Sequence, residues 1–124
     1  MCEALKVASE LCFLYEEKEI SDECLEKIPL IHKREGDSNK IKAIAAFMYN
    51  AGIPDKYDVG QTLTNDGAKG LSAFMSYYIF KAMIESGHLK EVIAILKDYY
   101  GAMLNLGETT FCDDFNIEWA KKCC

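Results

Sequence analysis

Two consecutive stretches decide the fold: residues 71–86, LSAFMSYYIFKAMIES, and residues 89–100, LKEVIAILKDYY, with Gly87 between them. The first stretch is apolar on nearly every side, and a helix of that kind has to be covered on every side. The second stretch has one apolar and one charged face. Its residues expected to point inward are Leu89, Val92, Ile93, Leu96 and Tyr100. Together the two stretches predict an αα-hairpin with an inner and an outer helix.

Helical spacing continues toward the N-terminus of this hairpin. Apolar residues recur at helical intervals between Ala4 and Tyr15, which predicts a first helix. Ser21, followed by two acidic residues, is the expected N-cap of a second helix. Pro29 is expected to interrupt that helix, because proline lacks the backbone N–H that a helix interior uses.

Three further boundaries follow from the usual helix start and stop residues. Ser38 is the expected N-cap of a third helix, which ends at Gly52. Asp55 is the expected cap of a short helix that runs to Leu63. Gly101 is expected to end the outer helix of the hairpin.

These patterns predict an all-α fold built from αα-hairpins, with about five or six helices in a single domain spanning residues 1–124. Weak β-like character occurs only at residues 109–111. A chain of 124 residues is the size of one domain.

The charge and residue composition disfavour several classes of binding partner. The net charge is −6, and no basic stripe offsets it, so nucleic acid and an anionic membrane surface are both disfavoured. The N-terminus opens with Glu3 and an amphipathic stretch rather than a signal peptide, which favours a cytoplasmic location with its six cysteines reduced. His32 and His88 stand apart from each other and from any cysteine pair, so no metal is expected. No cofactor-binding pattern is present either.

One segment resembles a known enzyme family. Residues 99–115 read Tyr-Tyr-Gly-Ala-Met-Leu-Asn-Leu-Gly-Glu-Thr-Thr-Phe-Cys-Asp-Asp-Phe. This run is similar to Tyr-Trp-Gly-Gly-Met-Leu-Asp-Leu-Gly-Ala-Thr-Thr-Phe-Trp-Glu-Asp-Phe, which is typical of the bacterial α-L-rhamnosidase catalytic domain. That domain is a six-hairpin glycosidase of glycoside hydrolase family 78. Trp119 extends the likeness, and the family-like part covers residues 40–119.

The resemblance implies a partial (α/α)6 toroid, a late portion of the catalytic domain. Twelve helices of about 11–12 residues would not fit in 124 residues. The expectation is a truncated or degenerate homologue of the α-L-rhamnosidases, with carbohydrate as the partner that the family implies. If active, it would be an inverting glycoside hydrolase that acts on α-L-rhamnosides.

The resemblance also assigns candidate site residues. An inverting glycosidase uses one carboxyl group as general acid and another as general base. Asp113 takes the place of the family's Glu and is the candidate general base, while Thr109, Thr110 and Phe111 are the candidate substrate-binding residues. No residue matches the general acid, so the chain is expected to be inactive alone.

The sequence departs from the family pattern at three positions of this run. Asp113 is one methylene shorter than glutamate, Cys112 replaces an aromatic residue, and Glu108 replaces a small one. Each candidate also has a structural interpretation. Asp113 can be a loop or helix-capping residue, and the two threonines can bond to their own backbone. Phe111 and its neighbouring tyrosines can belong to the core instead of a sugar platform.

The alternative function is a small all-helical protein-binding module without catalysis. Five helices are not expected to cover the apolar helix at residues 71–85 completely. The sequence therefore also predicts a contiguous exposed apolar patch, with self-association or a complementary chain as its partner.

Overall fold

The computed structural model describes residues 2–33, 36–113 and 115–118. Those residues form six helices and no β-strand, which confirms an all-α fold of helical hairpins. The helices are α1 (Cys2–Leu14), α2 (Lys18–His32), α3 (Lys42–Ala51), α4 (Val59–Thr64), α5 (Ala73–Glu85) and α6 (Leu89–Asn105).

The core lies where α3, α4 and α6 pack around α5. The hairpin of α5 and α6 turns at Gly87, whose φ of 90° only glycine adopts without strain. Helices α1 and α2 form a second hairpin that packs on itself, and α1 also contacts α3. The fully buried large side chains of the core are Leu63, Ile79, Met83 and Tyr99.

The start and the interruption predicted for the second helix are both wrong. Helix α2 begins at Lys18, and the side chain of Ser21 is buried inside the hairpin instead of capping a helix. The Ser21 hydroxyl donates to the carbonyl of Ser9 at 3.0 Å, and the two hydroxyl oxygens lie 2.8 Å apart. The helix continues past Pro29 to His32.

His32 fastens the last turn of α2, after the proline, to the end of α3. Its Nε2–H donates to the carbonyl of Ala51, 2.6 Å away at the end of α3. Gly52 ends α3 as predicted, in a left-handed conformation with φ of 72°. The hydrogen bond to Ala51 therefore lies at the C-terminal end of α2, where Pro29 weakens the helix.

The predicted caps of the third and fourth helices are also corrected. Ile41, not Ser38, is the N-cap of α3, and no side chain caps it. Asp58 caps α4 by accepting from the N–H of Gln61 at 2.6 Å. Asp55 instead accepts from the N–H of Ser38 at 3.2 Å, which ties the loop before α3 to the loop after it.

Helix α6 does not end at Gly101 but runs to Asn105. The chain turns afterwards at Gly107, where φ is 81°. A glycine inside a helix costs about 1 kcal/mol relative to alanine, which packing on one side of α6 overcomes. The prediction placed the helix end at the wrong glycine.

The inward face of α6 differs from the predicted one. Val92 is buried as expected, but Leu89, Ile93 and Leu96 are exposed. The other buried residues of the helix are Ile95, Tyr99 and Met103. The apolar residues of α6 therefore form two adjacent faces, one buried and one exposed. The buried face includes Tyr99, whose hydroxyl lies within hydrogen-bonding distance of backbone carbonyls.

Helix α5 is covered on one side only. Ser76, Ile79, Ala82 and Met83 are buried, whereas Phe74 and Tyr77 on the other side are 64% and 68% exposed. The expectation that the neighbouring helices leave this helix partly uncovered agrees with the structure.

The described cysteines Cys2, Cys12, Cys24 and Cys112 are free thiols. Trp119, which extends the family resemblance, and the remaining two cysteines lie outside the described residues. None of the described helices combines the length and apolarity needed to cross a lipid bilayer.

Candidate functional site

Asp113 lies at the N-terminus of α5. Its Oδ1 accepts from the backbone N–H of Phe74 at 3.3 Å, and Ser72 accepts from the N–H of Met75 at 3.2 Å. The first N–H groups of a helix have no partner within the helix, and the helix dipole favours negative charge there. The arrangement gives Asp113 a structural role that does not require a substrate.

A pocket of about 410 Å³ opens beside Asp113. It lies between the 68–72 segment and the 113–118 segment. Its polar side chains are Lys69, Ser72, Asp113, Asn116 and Glu118, and its apolar floor includes Leu71, Phe115 and Ile117. The pocket therefore holds two carboxylates, those of Asp113 and Glu118.

The second carboxylate of this pocket already has a partner. Lys69 Nζ lies 3.5 Å from Glu118 Oε1, and both side chains are more than half exposed. An exposed ion pair of this kind contributes little to stability.

The three predicted substrate-binding residues do not line the pocket of Asp113. Thr109, Thr110 and Phe111 line a separate pocket of about 300 Å³ together with Tyr100, Met103, Leu104 and Glu108. All three predicted residues are exposed, and the ring of Phe111 meets that of Tyr100 edge to face at 5.2 Å. The structure thus separates the candidate base from the candidate sugar contacts.

Two residues of this region, Cys112 and Tyr99, have raised pKa values. A hydrogen bond with Glu108, with a smaller effect of burial, raises the pKa of the Cys112 thiol, so the thiol stays protonated. Burial raises the pKa of Tyr99, and the nearby Tyr100 and Asp113 raise it further. The neutral Tyr99 hydroxyl donates to the carbonyl of Phe115 at 3.2 Å and lies 3.4 Å from that of Leu71.

The aromatic residues divide between core and surface. Tyr99 is fully buried, as the core interpretation predicts, and Tyr100 is bonded to the Ser76 hydroxyl at 2.6 Å. The exposed Tyr77 and the half-buried Tyr78 belong to an aromatic group on α3 and α5. Within this group, the ring centroids of Phe47 and Tyr78 lie 4.9 Å apart.

Sequence reasoning missed the two exposed apolar stripes on α1 and α6. The stripe on α1 consists of Val7, Leu11 and Leu14, and the stripe on α6 consists of Leu89, Ile93 and Leu96. The signal was present in α6, whose apolar positions span a wider arc than one neighbouring helix can cover.

Two further buried polar atoms belong to Asn50, inside α3, and to Asp55, at the junction of the loops before and after α3. Asp55 Oδ2 and Asn50 Oδ1 are shielded from solvent without a hydrogen-bond partner in the described part of the chain. Asp55 is itself only partly buried, and its other oxygen accepts from the N–H groups of Ser38 and Tyr57. The junction serves to hold two loops together. Among the described residues, no group of three or more histidine, cysteine or acidic side chains is arranged to hold a metal ion.

Comparisons of the chain with protein-family models, curated proteins and solved structures found no significant match.

Proposed function

We propose that this chain is a helical protein-binding module that does not hydrolyse glycosides by itself. The observation that carries the proposal is the amount of large apolar surface left uncovered. Twenty large hydrophobic side chains of the described residues are exposed, on every helix except the short α4 or in the loops. Scattered exposed apolar residues are normal, but contiguous ones mark interaction surfaces.

The exposed residues are contiguous on three faces. Two are the stripes of α1 and α6. The third is an aromatic face in which the exposed Phe47, Phe74 and Tyr77 surround the half-buried Tyr78, and the rings of Tyr77 and Tyr78 meet at 5.2 Å. Aromatic side chains of this kind are enriched at protein interfaces.

The site geometry supports the absence of catalysis. Asp113 is hydrogen-bonded to the N-terminus of α5, and Thr109 to Phe111 line a different pocket. A misplacement of about 1 Å in a catalytic group can cost about 100-fold in rate. A base held by a helix end, apart from the sugar contacts, is poorly placed for an inverting displacement.

Sedimentation velocity and binding of an apolar dye to the folded chain test this function. We expect concentration-dependent association and dye fluorescence, with both signals present in a sample whose helical circular dichroism is intact. A monomer at high concentration that binds no dye would contradict the proposal. Association that lowers dye binding would support the proposal, because the apolar surface would then be buried between the associated chains.

The second candidate function is hydrolysis of α-L-rhamnosides, with the general acid supplied by a complementary chain. It is favoured by the pocket that opens beside Asp113 and by the likeness of residues 99–115 to the rhamnosidase run. In this candidate the chain is a degenerate relative of that family, equivalent to part of an (α/α)6 toroid.

An aryl α-L-rhamnoside assay separates the two candidates. We expect no turnover by the purified chain, and none after the double substitution Asp113→Glu and Cys112→Trp, because these changes do not supply a general acid. General acid help is typically worth about 10²–10⁴-fold. Turnover by the purified chain that is abolished by Asp113→Asn, in a variant that remains helical, would establish the second candidate instead, with a second copy of the chain supplying the general acid.

A further inference from the structure

The stripes on α1 and α6 have the same spacing. Along each helix the exposed apolar residues follow at intervals of four and then three, which is the seam of a heptad repeat. On α1 they are Val7 (53% exposed), Leu11 (51%) and Leu14 (75%); on α6 they are Leu89 (52%), Ile93 (45%) and Leu96 (38%).

Charged residues flank the α1 stripe on one side. With Val7 and Leu14 at heptad position d and Leu11 at position a, Glu3 and Glu10 both fall at position g. Both glutamates are exposed. Their separation of seven residues is about 10.5 Å along a helix.

The α6 stripe carries the opposite charge on the opposite side. With Leu89 and Leu96 at position d and Ile93 at position a, Lys90 and Lys97 fall at position e. Both lysines are exposed, and they have the same seven-residue separation. In a parallel pair of helices, position g of one faces position e of the other, where ion pairs set partner and orientation.

We propose that α1 of one copy of this chain docks in parallel against α6 of a second copy. The inference rests on the proposed binding function and names its partner. One register satisfies both the apolar and the charged positions. In that register the facing pairs are Val7 with Leu89, Leu11 with Ile93, Leu14 with Leu96, Glu3 with Lys90 and Glu10 with Lys97.

Antiparallel pairing of two like stripes opposes like charges. In an antiparallel pair, position g faces g and position e faces e. Two α1 stripes paired in that way bring Glu10 toward the glutamates of the other copy, and two α6 stripes bring lysine toward lysine. The intramolecular pair of Lys6 with Glu3, at 3.1 Å, is exposed and worth little, so it does not hold Glu3 away from a partner.

A charge-exchange experiment on the full chain tests the pairing by sedimentation velocity at low salt. The variant E3K/E10K opposes lysine to lysine, and the variant K90E/K97E opposes glutamate to glutamate. We expect each variant alone to self-associate roughly tenfold or more weakly than the unmodified chain. An equimolar mixture of the two variants restores both kinds of contact, and so does the quadruple variant in one chain.

Two controls separate this pairing from general effects. The variant E19K/E26K makes the same charge change on exposed positions of α2 and should leave association unchanged. L11D should abolish the pairing, whereas L25D, at a position of similar exposure (50%), should not. Circular dichroism establishes that each variant is folded.

The outcomes distinguish this inference from the proposed function. Association that is insensitive to both charge variants and to L11D overturns the α1–α6 pairing but leaves a binding module that uses another face. A folded monomer that binds no apolar dye overturns both. Loss in each variant without recovery in the mixture overturns the pairing as well.

Discussion

The carboxylate of Asp113 accepts a hydrogen bond from the backbone N–H of Phe74, a residue 39 positions earlier in the chain. The contact fastens the segment after α6 to the N-terminus of α5. The residue that the rhamnosidase resemblance assigns as a general base therefore has a measurable structural function.

Replacement of Asp113 by asparagine should destabilise the fold modestly. The substitution removes a negative charge from the helix N-terminus, which is worth about 0.3–1 kcal/mol. Urea unfolding measures the loss, and Asp22→Asn, at an exposed position of α2, is the matched control with no expected effect. Equal stabilities of the Asp113 variant and the unmodified chain would contradict the capping role.

Removal of the Tyr99 hydroxyl should cost about 0.5–1.5 kcal/mol. The substitution Tyr99→Phe leaves the ring in the core but removes the donor to the carbonyl of Phe115. Tyr77→Phe, on an exposed tyrosine, should change the free energy of unfolding by much less. Chemical denaturation compares the two variants, and a similar effect of both would count against the buried hydrogen bond.

Two glycine-to-alanine substitutions should act with opposite signs. At Gly52, φ is +72° and an added Cβ would lie 3.2 Å from the His32 ring, so alanine should destabilise by about 1 kcal/mol or more. Gly101 lies inside α6 with no atom within 4 Å of an added Cβ. Alanine there should stabilise by about 0.5–1 kcal/mol. Thermal unfolding of the two variants gives the signs directly, and stabilisation by Gly52→Ala would be inconsistent with the described turn.

Asp55 should contribute to the pH dependence of stability. Burial raises its pKa, but hydrogen bonds from Ser38 and from the backbone outweigh it and hold the pKa below the ordinary value of 3.8. The unfolded chain therefore binds a proton more readily than the folded one. The stabilisation is fully present above about pH 4 and is lost as the pH falls through the lower folded pKa.

The substitution Asp55→Asn isolates this effect. We expect the stability difference from the unmodified chain to be constant between about pH 5 and 7 and to shrink below about pH 4. Urea unfolding at several pH values measures it. A difference that grows on acidification would contradict the lowered pKa.

Local residue chemistry predicted the helices but not all of their limits. Gly52 and Gly87 were readable as helix ends because their positive φ values suit glycine. Ser21 and Pro29 were misread, because a buried serine pair and the contact of His32 with Ala51 are tertiary interactions. Those partners, Ser9 and Ala51, lie outside α2, so the spacing of residues along α2 could not predict the contacts.

In the candidate site, too, the sequence predicted the local segment but not the tertiary position of its residues. The run of residues 109–113 could be recognised as a unit in the sequence, but the turn after α6 directs Phe111 into one pocket and Asp113 into another. The inward face predicted for α6 was wrong for a related reason. The apolar residues of α6 span a wide arc, and tertiary packing buries the part that contains Ile95, Tyr99 and Met103.

The attachment of the α1–α2 hairpin has a consequence for how the molecule unfolds. Its two helices pack on each other, and α1 reaches the remainder through α3, whereas the Tyr99 core is built from the elements after residue 41. Local unfolding of the α1–α2 hairpin therefore exposes little of the Tyr99 core. Amide protons of α1 should exchange with solvent through a local event of low free energy, while those of α5 should wait for global unfolding.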